Sequence, residues 1–155
     1  MPEVQARIPV PPERVFDVLS TPDAYGYWVL GSRKIRSVEG AFPAPGSRLH
    51  HQFGIPPLVI NDHTTVLECD RPRRLVLLAR AGPLGKARVE LNLQPAQGGT
   101  QVRMSEEPVD LKARLGINPL TAWLVRGRNL RSLSRLRRLA VVDMPASGST
   151  QAQAG

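Results

Sequence analysis

The C-terminal part of the chain carries one long helical pattern, and this pattern follows a series of short strand-like segments. Asn118 and Pro119 make a strong helix start, with asparagine as the cap and proline in the first turn. Apolar residues then recur at helical spacing to about Val142. This order of segments predicts a curved sheet that is closed by one long helix, with a cavity between the two.

Short segments of alternating or branched apolar residues, bounded by Gly, Pro and Asp, predict the strands. The predicted strands are residues 4–8, 33–38, 48–53, 58–69, 75–81, 87–93 and 100–107. Two short helices are expected after the first strand, one opened by Pro12 and one capped by Thr21. In the last strand Val102 and Met104 share a face with Glu106, so this carboxylate is expected to point inward.

The long helix has two faces when about 100° is taken per residue. Its predicted buried side consists of apolar residues, namely Trp123, Leu130, Leu133, Leu136 and Ala140. Arg126 and Arg137 fall inside this apolar sector. A separate stripe holds Arg128, Arg131, Arg135 and Arg138.

The basic charge of the chain is concentrated at its C-terminal end. Residues 112–142 hold eight basic residues and no acidic one, while the whole chain has a net charge of +8. The stripe of Arg128, Arg131, Arg135 and Arg138 is consistent with a solvated face, with an anionic membrane surface or with nucleic acid. Nucleic acid is disfavoured, because no aromatic stacking platform is interleaved with these arginines.

The length of 155 residues predicts a single domain over residues 1–142, followed by a disordered tail over residues 143–155. Cys69 is the only cysteine, which excludes an intramolecular disulfide and favours a cytoplasmic setting. No apolar run approaches the roughly 20 residues of a membrane span. No His, Cys or carboxylate spacing indicates a metal site, and we expect no metal and no cofactor.

Several short segments in this order resemble those of the START/Bet v 1-like (SRPBCC) superfamily, in its polyketide cyclase/dehydrase and lipid-transport branch. They are Val10–Phe16, Trp28-Val29, Phe42–Ser47, Val66–Glu68 with Pro72 and Leu75, Gly99–Val102, Glu106 and Arg128-Asn129. The resemblance covers residues 3–142. It implies an α+β helix-grip fold, in which a seven-stranded antiparallel sheet wraps around the C-terminal helix and encloses a cavity for a hydrophobic or amphipathic molecule.

The candidate ligand-binding residues are Trp28, His51, Glu106, Trp123, Arg126 and Asn129. Because His50 and His51 are adjacent on a strand, they face opposite sides, and His51 is the one expected inside. An inward carboxylate must be paired, hydrated or raised in pKa. A Glu106–Arg126 pair would therefore either tie the helix to the sheet or form the polar end of the cavity.

Other polar residues give weaker indications. His63 and Asp62 are neighbours on a strand, so their side chains are expected to diverge and a relay between them is not predicted. Tyr25 and Tyr27, together with Trp28, are expected near the mouth of the cavity.

Two functions follow from the resemblance, and catalytic residues are not assigned. One is binding or transport of a lipid-like or polyketide-like ligand. The other is a cyclase or dehydratase, in which Glu106, His51, Arg126 or Asn129 would act as acid, base or hydrogen-bond donor. An adaptor domain with a collapsed cavity is a third possibility.

Overall fold

A computed structural model describes residues 3–29, 32–55, 57–80, 85–110 and 119–143 of the chain. The strands within these ranges are β1 (Glu3–Ile8), β2 (Ser32–Glu39), β3 (Arg48–Ile55), β4 (Leu58–Asp70), β5 (Arg74–Arg80), β6 (Lys86–Ala96) and β7 (Gly99–Pro108). The helices are α1 (Pro12–Leu19), α2 (Pro22–Trp28) and α3 (Pro119–Arg138), and a π-helical turn (Leu139–Asp143) continues α3.

The strands form one antiparallel sheet in the order β1-β7-β6-β5-β4-β3-β2. Every strand from β2 to β7 pairs with its neighbour along the chain, and β1 joins β7 at the far edge. Helices α1 and α2 connect the two edge strands, while α3 returns after β7. The α+β helix-grip prediction, with a curved seven-stranded sheet and a long C-terminal helix, is confirmed.

The predicted strand boundaries differ from the observed ones by three residues at most. The alternation in β6 and β7 is also confirmed, because Val89, Leu91, Leu93, Val102 and Met104 are all buried. Cross-strand pairing places Leu91 opposite Met104 and Val89 opposite Glu106. Since opposite residues on paired strands share a face, Glu106 lies on the apolar inner face as predicted.

The hydrophobic core lies between this inner face and the helices. Helix α1 contributes its predicted side, Val15, Phe16, Val18 and Leu19, all 1% exposed or less. Helix α3 contributes Leu133, Leu136 and Ala140, each fully buried. Full burial stabilises each large apolar side chain by about 1.5–3 kcal/mol relative to an exposed one.

A close approach at the sheet edge explains Gly99, the first residue of β7. A Cβ atom at this position would lie 2.7 Å from the Cα of Pro9, closer than real Cβ contacts allow. The backbone that leaves β1 therefore needs glycine where β7 begins.

Helix α3 buries Leu133 and Leu136 as predicted, and the turn that follows buries Ala140, but the rest of the predicted face is not buried. Trp123 and Leu130 are 71% and 41% exposed, whereas Asn129 and Ser132 are each 1% exposed. At about 100° per residue, the buried face is rotated by roughly 60° from the apolar sector read from the sequence. The prediction that Trp123 joins the buried side is therefore wrong.

Three smaller predictions concern the ends of helices. Thr21 occupies the N-cap position of α2, but its hydroxyl donates to the Asp17 carbonyl at 2.8 Å, so it joins α1 to α2 instead of capping. Asp143 belongs to the π-helical turn and not to the predicted tail. The rest of that tail, residues 144–155, and the predicted cap Asn118 lie outside the described residues.

Candidate functional site

Glu106 connects the sheet to the long helix. Its carboxylate oxygen Oε1 accepts hydrogen bonds from the guanidinium of Arg128 and from Asn129 Nδ2, the latter at 3.1 Å. The Glu106 side chain is 16% exposed and that of Arg128 is 32% exposed. An inward carboxylate thus has a cationic partner, as expected, but the partner is Arg128. The predicted Glu106–Arg126 pair is wrong.

A second group of polar side chains lies on the same interior, between α2 and strands β3 and β4. His51 Nε2 and Thr64 Oγ1 are 2.9 Å apart, and the Tyr25 hydroxyl lies 3.3 Å from the same Thr64 oxygen. The Tyr25 and His51 rings have centroids 5.9 Å apart. All three residues are 5% exposed or less. Thr64 therefore joins a phenol and an imidazole inside the protein.

Electrostatics connects these two groups through Tyr25. Burial raises the pKa of the Tyr25 phenol above its usual value, and the hydrogen bond with Thr64 opposes this. The positive charge of Arg128 also lowers the phenol's pKa, and the negative charge of Glu106 raises it. The phenol is therefore neutral near pH 7 and can donate a hydrogen bond. We call Tyr25, His51, Thr64, Glu106, Arg128 and Asn129 the polar cluster.

Trp28 lies against this cluster. Its ring meets that of Tyr25 edge to face, with centroids 5.8 Å apart, and the residue is 1% exposed. Its Nε1 is buried and makes no hydrogen bond within the part of the chain that the structure describes. A buried donor normally has a partner, so this nitrogen is suited to an acceptor atom on a bound molecule.

The six predicted ligand-binding residues fall into two groups. His51, Glu106 and Asn129 belong to the polar cluster, and Trp28 contacts it through Tyr25. Trp123 and Arg126 do not reach it. Trp123 is exposed to solvent, and Arg126 is exposed and donates to the Glu3 carbonyl at 3.4 Å.

Sequence reasoning missed two members of the polar cluster and only partly identified a third. Arg128 was assigned to an outer stripe, and Tyr25 was only placed at a cavity mouth. Thr64 carries no motif, but it faces Leu49 across the β3–β4 ladder, and Leu49 shares a face with His51. Strand pairing was therefore the signal that could have found Thr64.

The predicted arginine stripe is not one continuous free face. Arg128 is held by Glu106. Arg135 donates to the Tyr27 carbonyl at 3.1 Å, and its guanidinium lies over the Tyr27 ring, 5.7 Å from the centroid. Arg131 and Arg138 are exposed. Two of the four arginines of the predicted stripe therefore have partners within the protein.

A groove runs along the first turns of α3. It has a volume of about 420 Å³ and is lined by Trp123, Leu124, Arg126, Gly127, Arg128, Leu130 and Arg131. Its lining is separate from the polar cluster except for Arg128. The groove therefore belongs to the outer side of the helix.

The other two histidines lie away from the polar cluster. His50 Nε2 is 3.0 Å from Glu39 Oε1, and the His50 and His63 rings have centroids 5.6 Å apart. Asp62 Oδ1 accepts the His63 backbone N–H at 2.9 Å and lies 3.3 Å from Arg80 Nε. The Asp62 oxygen also lies 3.7 Å from His63 Nδ1, although strand pairing places Asp62 on the face of His51 and His63 on the face of His50, as expected.

Metal-ligating groups do not assemble in the described ranges: no three His, Cys, Asp or Glu side chains there are placed to hold an ion. None of the described helices is sufficiently long and apolar to cross a bilayer.

Comparisons with known proteins agree with this architecture. A model of the family described as polyketide cyclase / dehydrase and lipid transport matches residues 2–141. The chain is similar in structure to protein CV1439 from Chromobacterium violaceum, with a TM-score of 0.68, 20% identity, and coverage of 91% of this chain and 97% of that chain. No curated protein matches the chain.

Two further solved structures share the fold. Ara h 8.0201 is 15% identical with a TM-score of 0.67, over 91% of this chain and 97% of that chain. The di-domain ARO/CYC StfQ from the steffimycin biosynthetic pathway is 10% identical with a TM-score of 0.69, over 89% of this chain and 49% of that chain.

Proposed function

Because the chain belongs to the polyketide cyclase / dehydrase and lipid transport family, we propose that it binds or transports a small hydrophobic or amphipathic molecule. The ligand lies between the sheet and α3, and its polar end contacts the polar cluster. The cytoplasm remains the predicted location of the protein.

The observation that carries this proposal is the position of the polar cluster. Tyr25, His51, Thr64 and Asn129 are 5% exposed or less on an otherwise apolar interior. Ligand sites commonly combine an apolar lining with a few polar groups that fix the orientation of the bound molecule. The buried Nε1 of Trp28 adds a donor beside these groups.

The cluster favours a ligand that offers oxygen acceptors at one end. The neutral Tyr25 phenol and the Trp28 indole are donors, and the charge of Arg128 is balanced by Glu106. A carbonyl or hydroxyl group suits this set. The rest of the ligand would be apolar, since burial contributes about 25 cal/mol per Å² of apolar surface removed from water.

Mass spectrometry of the purified protein tests the proposal. Native spectra are compared with spectra after denaturation and solvent extraction. We expect one reproducible co-purifying class of lipid-like or polyketide-like molecules. If no such mass is found, and the fluorescent probe anilinonaphthalene sulfonate also fails to bind saturably, the binding function is wrong.

Glu106→Gln tests the polar cluster, and Glu90→Gln on the outer face is its matched control. Glu90 also accepts from arginine and asparagine, at 2.7 Å from Arg74 and 2.9 Å from Asn92, and its side chain is 20% exposed. We expect only Glu106→Gln to weaken binding of the extracted ligand. A loss of stability with unchanged binding would make Glu106 purely structural.

A second candidate function is cyclisation or dehydration of a polyketide-like substrate. The contacts among His51, Thr64 and Tyr25 favour this function. They place an imidazole in hydrogen-bond contact with a hydroxyl that also contacts a neutral phenol. His51 would act as acid or base, and Tyr25 would donate to a developing enolate oxygen.

Turnover of a short poly-β-keto thioester, followed by absorbance of an aromatic product, tests this second function. We expect activity in the wild-type protein and its loss in His51→Gln with ligand binding retained. Equal product formation by wild type, His51→Gln and buffer would exclude the enzyme.

A further inference from the structure

The first turns of α3 present large apolar side chains to solvent. Trp123 is 71% exposed, Leu124 is 59% exposed and Leu130 is 41% exposed. These residues are close in sequence and all line the groove of about 420 Å³. A contiguous exposed apolar surface of this kind normally marks an interaction site.

Arginines are interspersed with these apolar side chains. At about 100° per residue, Trp123 and Leu130 lie between Arg126 on one side and Arg131 on the other, and Leu124 lies just beyond Arg131. Both arginines are exposed and line the groove. Residues 119–142 contain no acidic residue. The surface is therefore positively charged around an apolar centre, and we call it the Trp123 surface.

Gly127 lies within the Trp123 surface and leaves it open. A Cβ atom at this position would meet no heavy atom within 4 Å. A side chain introduced here would therefore enter the groove without disturbing the packing of the helix. A substitution at Gly127 can therefore change the charge of the surface without changing how the helix packs.

We propose that the Trp123 surface docks on an anionic lipid bilayer. The Trp123 indole combines an apolar body with a polar N–H, which suits the headgroup region. The leucines can enter the acyl boundary, while Arg126 and Arg131 contact lipid phosphates. The surface lies on the bilayer and does not cross it, because the other face of α3 is packed against the sheet.

Two other partners fit the surface less well. Nucleic acid would pair with the arginines and could stack on Trp123, but it offers no apolar phase to Leu124 and Leu130. A second copy in a two-fold contact would bring arginines of both copies together, which is repulsive. The anionic bilayer alone satisfies both the apolar centre and the charged border. This inference does not depend on what the interior of the protein holds.

Co-sedimentation with vesicles tests the inference. The vesicles consist of phosphatidylcholine alone or of phosphatidylcholine with phosphatidylglycerol. We expect binding only to the anionic vesicles, and we expect it to weaken as salt is added. Gly127→Glu should weaken binding about fivefold or more, and Arg126→Gln with Arg131→Gln about 30-fold. Trp123→Ala should also weaken it.

Gly127→Gln is the matched control, because it adds a side chain of the same length without charge. It should bind like the wild type, and all variants should keep the wild-type circular dichroism spectrum. Absence of binding to anionic vesicles at low salt overturns the proposal. So does equal binding by Gly127→Glu, salt-sensitive binding to a single-stranded oligonucleotide without vesicle binding, or a dimer that Gly127→Glu dissociates.

Discussion

The two halves of α3 use their apolar residues in opposite ways. The C-terminal half buries Leu133 and Leu136 completely, whereas the N-terminal half exposes Trp123 and Leu124. Between them Arg128 and Asn129 bind Glu106. Among the side chains that the structure describes, the fully buried apolar ones of α3 lie in its C-terminal half, whereas Trp123 and Leu124 in its N-terminal half are available for contacts outside the domain.

The largest expected effect is a difference in stability between alanine substitutions in the two halves of α3. Leu136→Ala should lower the free energy of unfolding by about 2–5 kcal/mol, because it leaves a cavity in the core. Leu124→Ala should lower it by less than about 1 kcal/mol, because Leu124 is 59% exposed. Urea denaturation measures both variants. Equal losses would show that the halves are packed alike.

A smaller effect concerns the junction between the halves. Glu106→Gln should cost about 1–3 kcal/mol, because the half-buried Arg128 loses its charged acceptor. Glu3→Gln is the control for an exposed pair, since Glu3 and Arg103 are 42% and 50% exposed. It should cost at most about 1 kcal/mol. If both variants lose the same stability, Glu106 does not fix the helix on the sheet.

The sequence predicted the sheet well because alternation and parity are local properties. Glu106 follows Val102 and Met104 at intervals of two residues, so its inward direction needed no knowledge of the helix. To identify the partner of Glu106, in contrast, the orientation of the helix has to be known. Helical periodicity shows which residues share a face, but not the direction in which that face points. Arg126 and Arg128 lie about 160° apart around the helix, so periodicity alone could not show which of them faces the sheet.

The same limit explains Trp123 and Asn129. Hydrophobic periodicity predicts that the apolar side of α3 faces the core, as is usual for a surface helix. Here the buried face carries Asn129 and Ser132, each 1% exposed, beside Leu133 and Leu136. Hydrophobicity cannot predict this arrangement, because it depends on the polar groups that β7 and α2 place opposite the helix. The polar cluster can therefore be identified only when the strand pairing and the rotation of the helix are known.

A pH experiment tests whether the interior around the Tyr25 phenol excludes water. The pKa of Tyr25 is raised mainly by burial, so the unfolded state loses its phenolic proton first when the pH rises above about 10. Stability that is present below that pH is then lost, by at most about 1.4 kcal/mol per pH unit until the folded protein also ionises. Tyr25→Phe should lack this additional loss in urea titrations between pH 9 and 11. Parallel curves for both proteins would mean that water reaches the phenol.

The smallest effect on stability is expected at Trp123, and fluorescence makes it a direct test of the comparison. Trp123→Phe should change the free energy of unfolding by about 0.5 kcal/mol or less, because this side chain is 71% exposed. The remaining indole, Trp28, is 1% exposed, so its emission should shift to the blue and resist iodide quenching. The wild type should show a quenchable fraction that this variant lacks. If iodide quenches both proteins equally, Trp123 is covered in solution, and the contrast between the halves of α3 is lost.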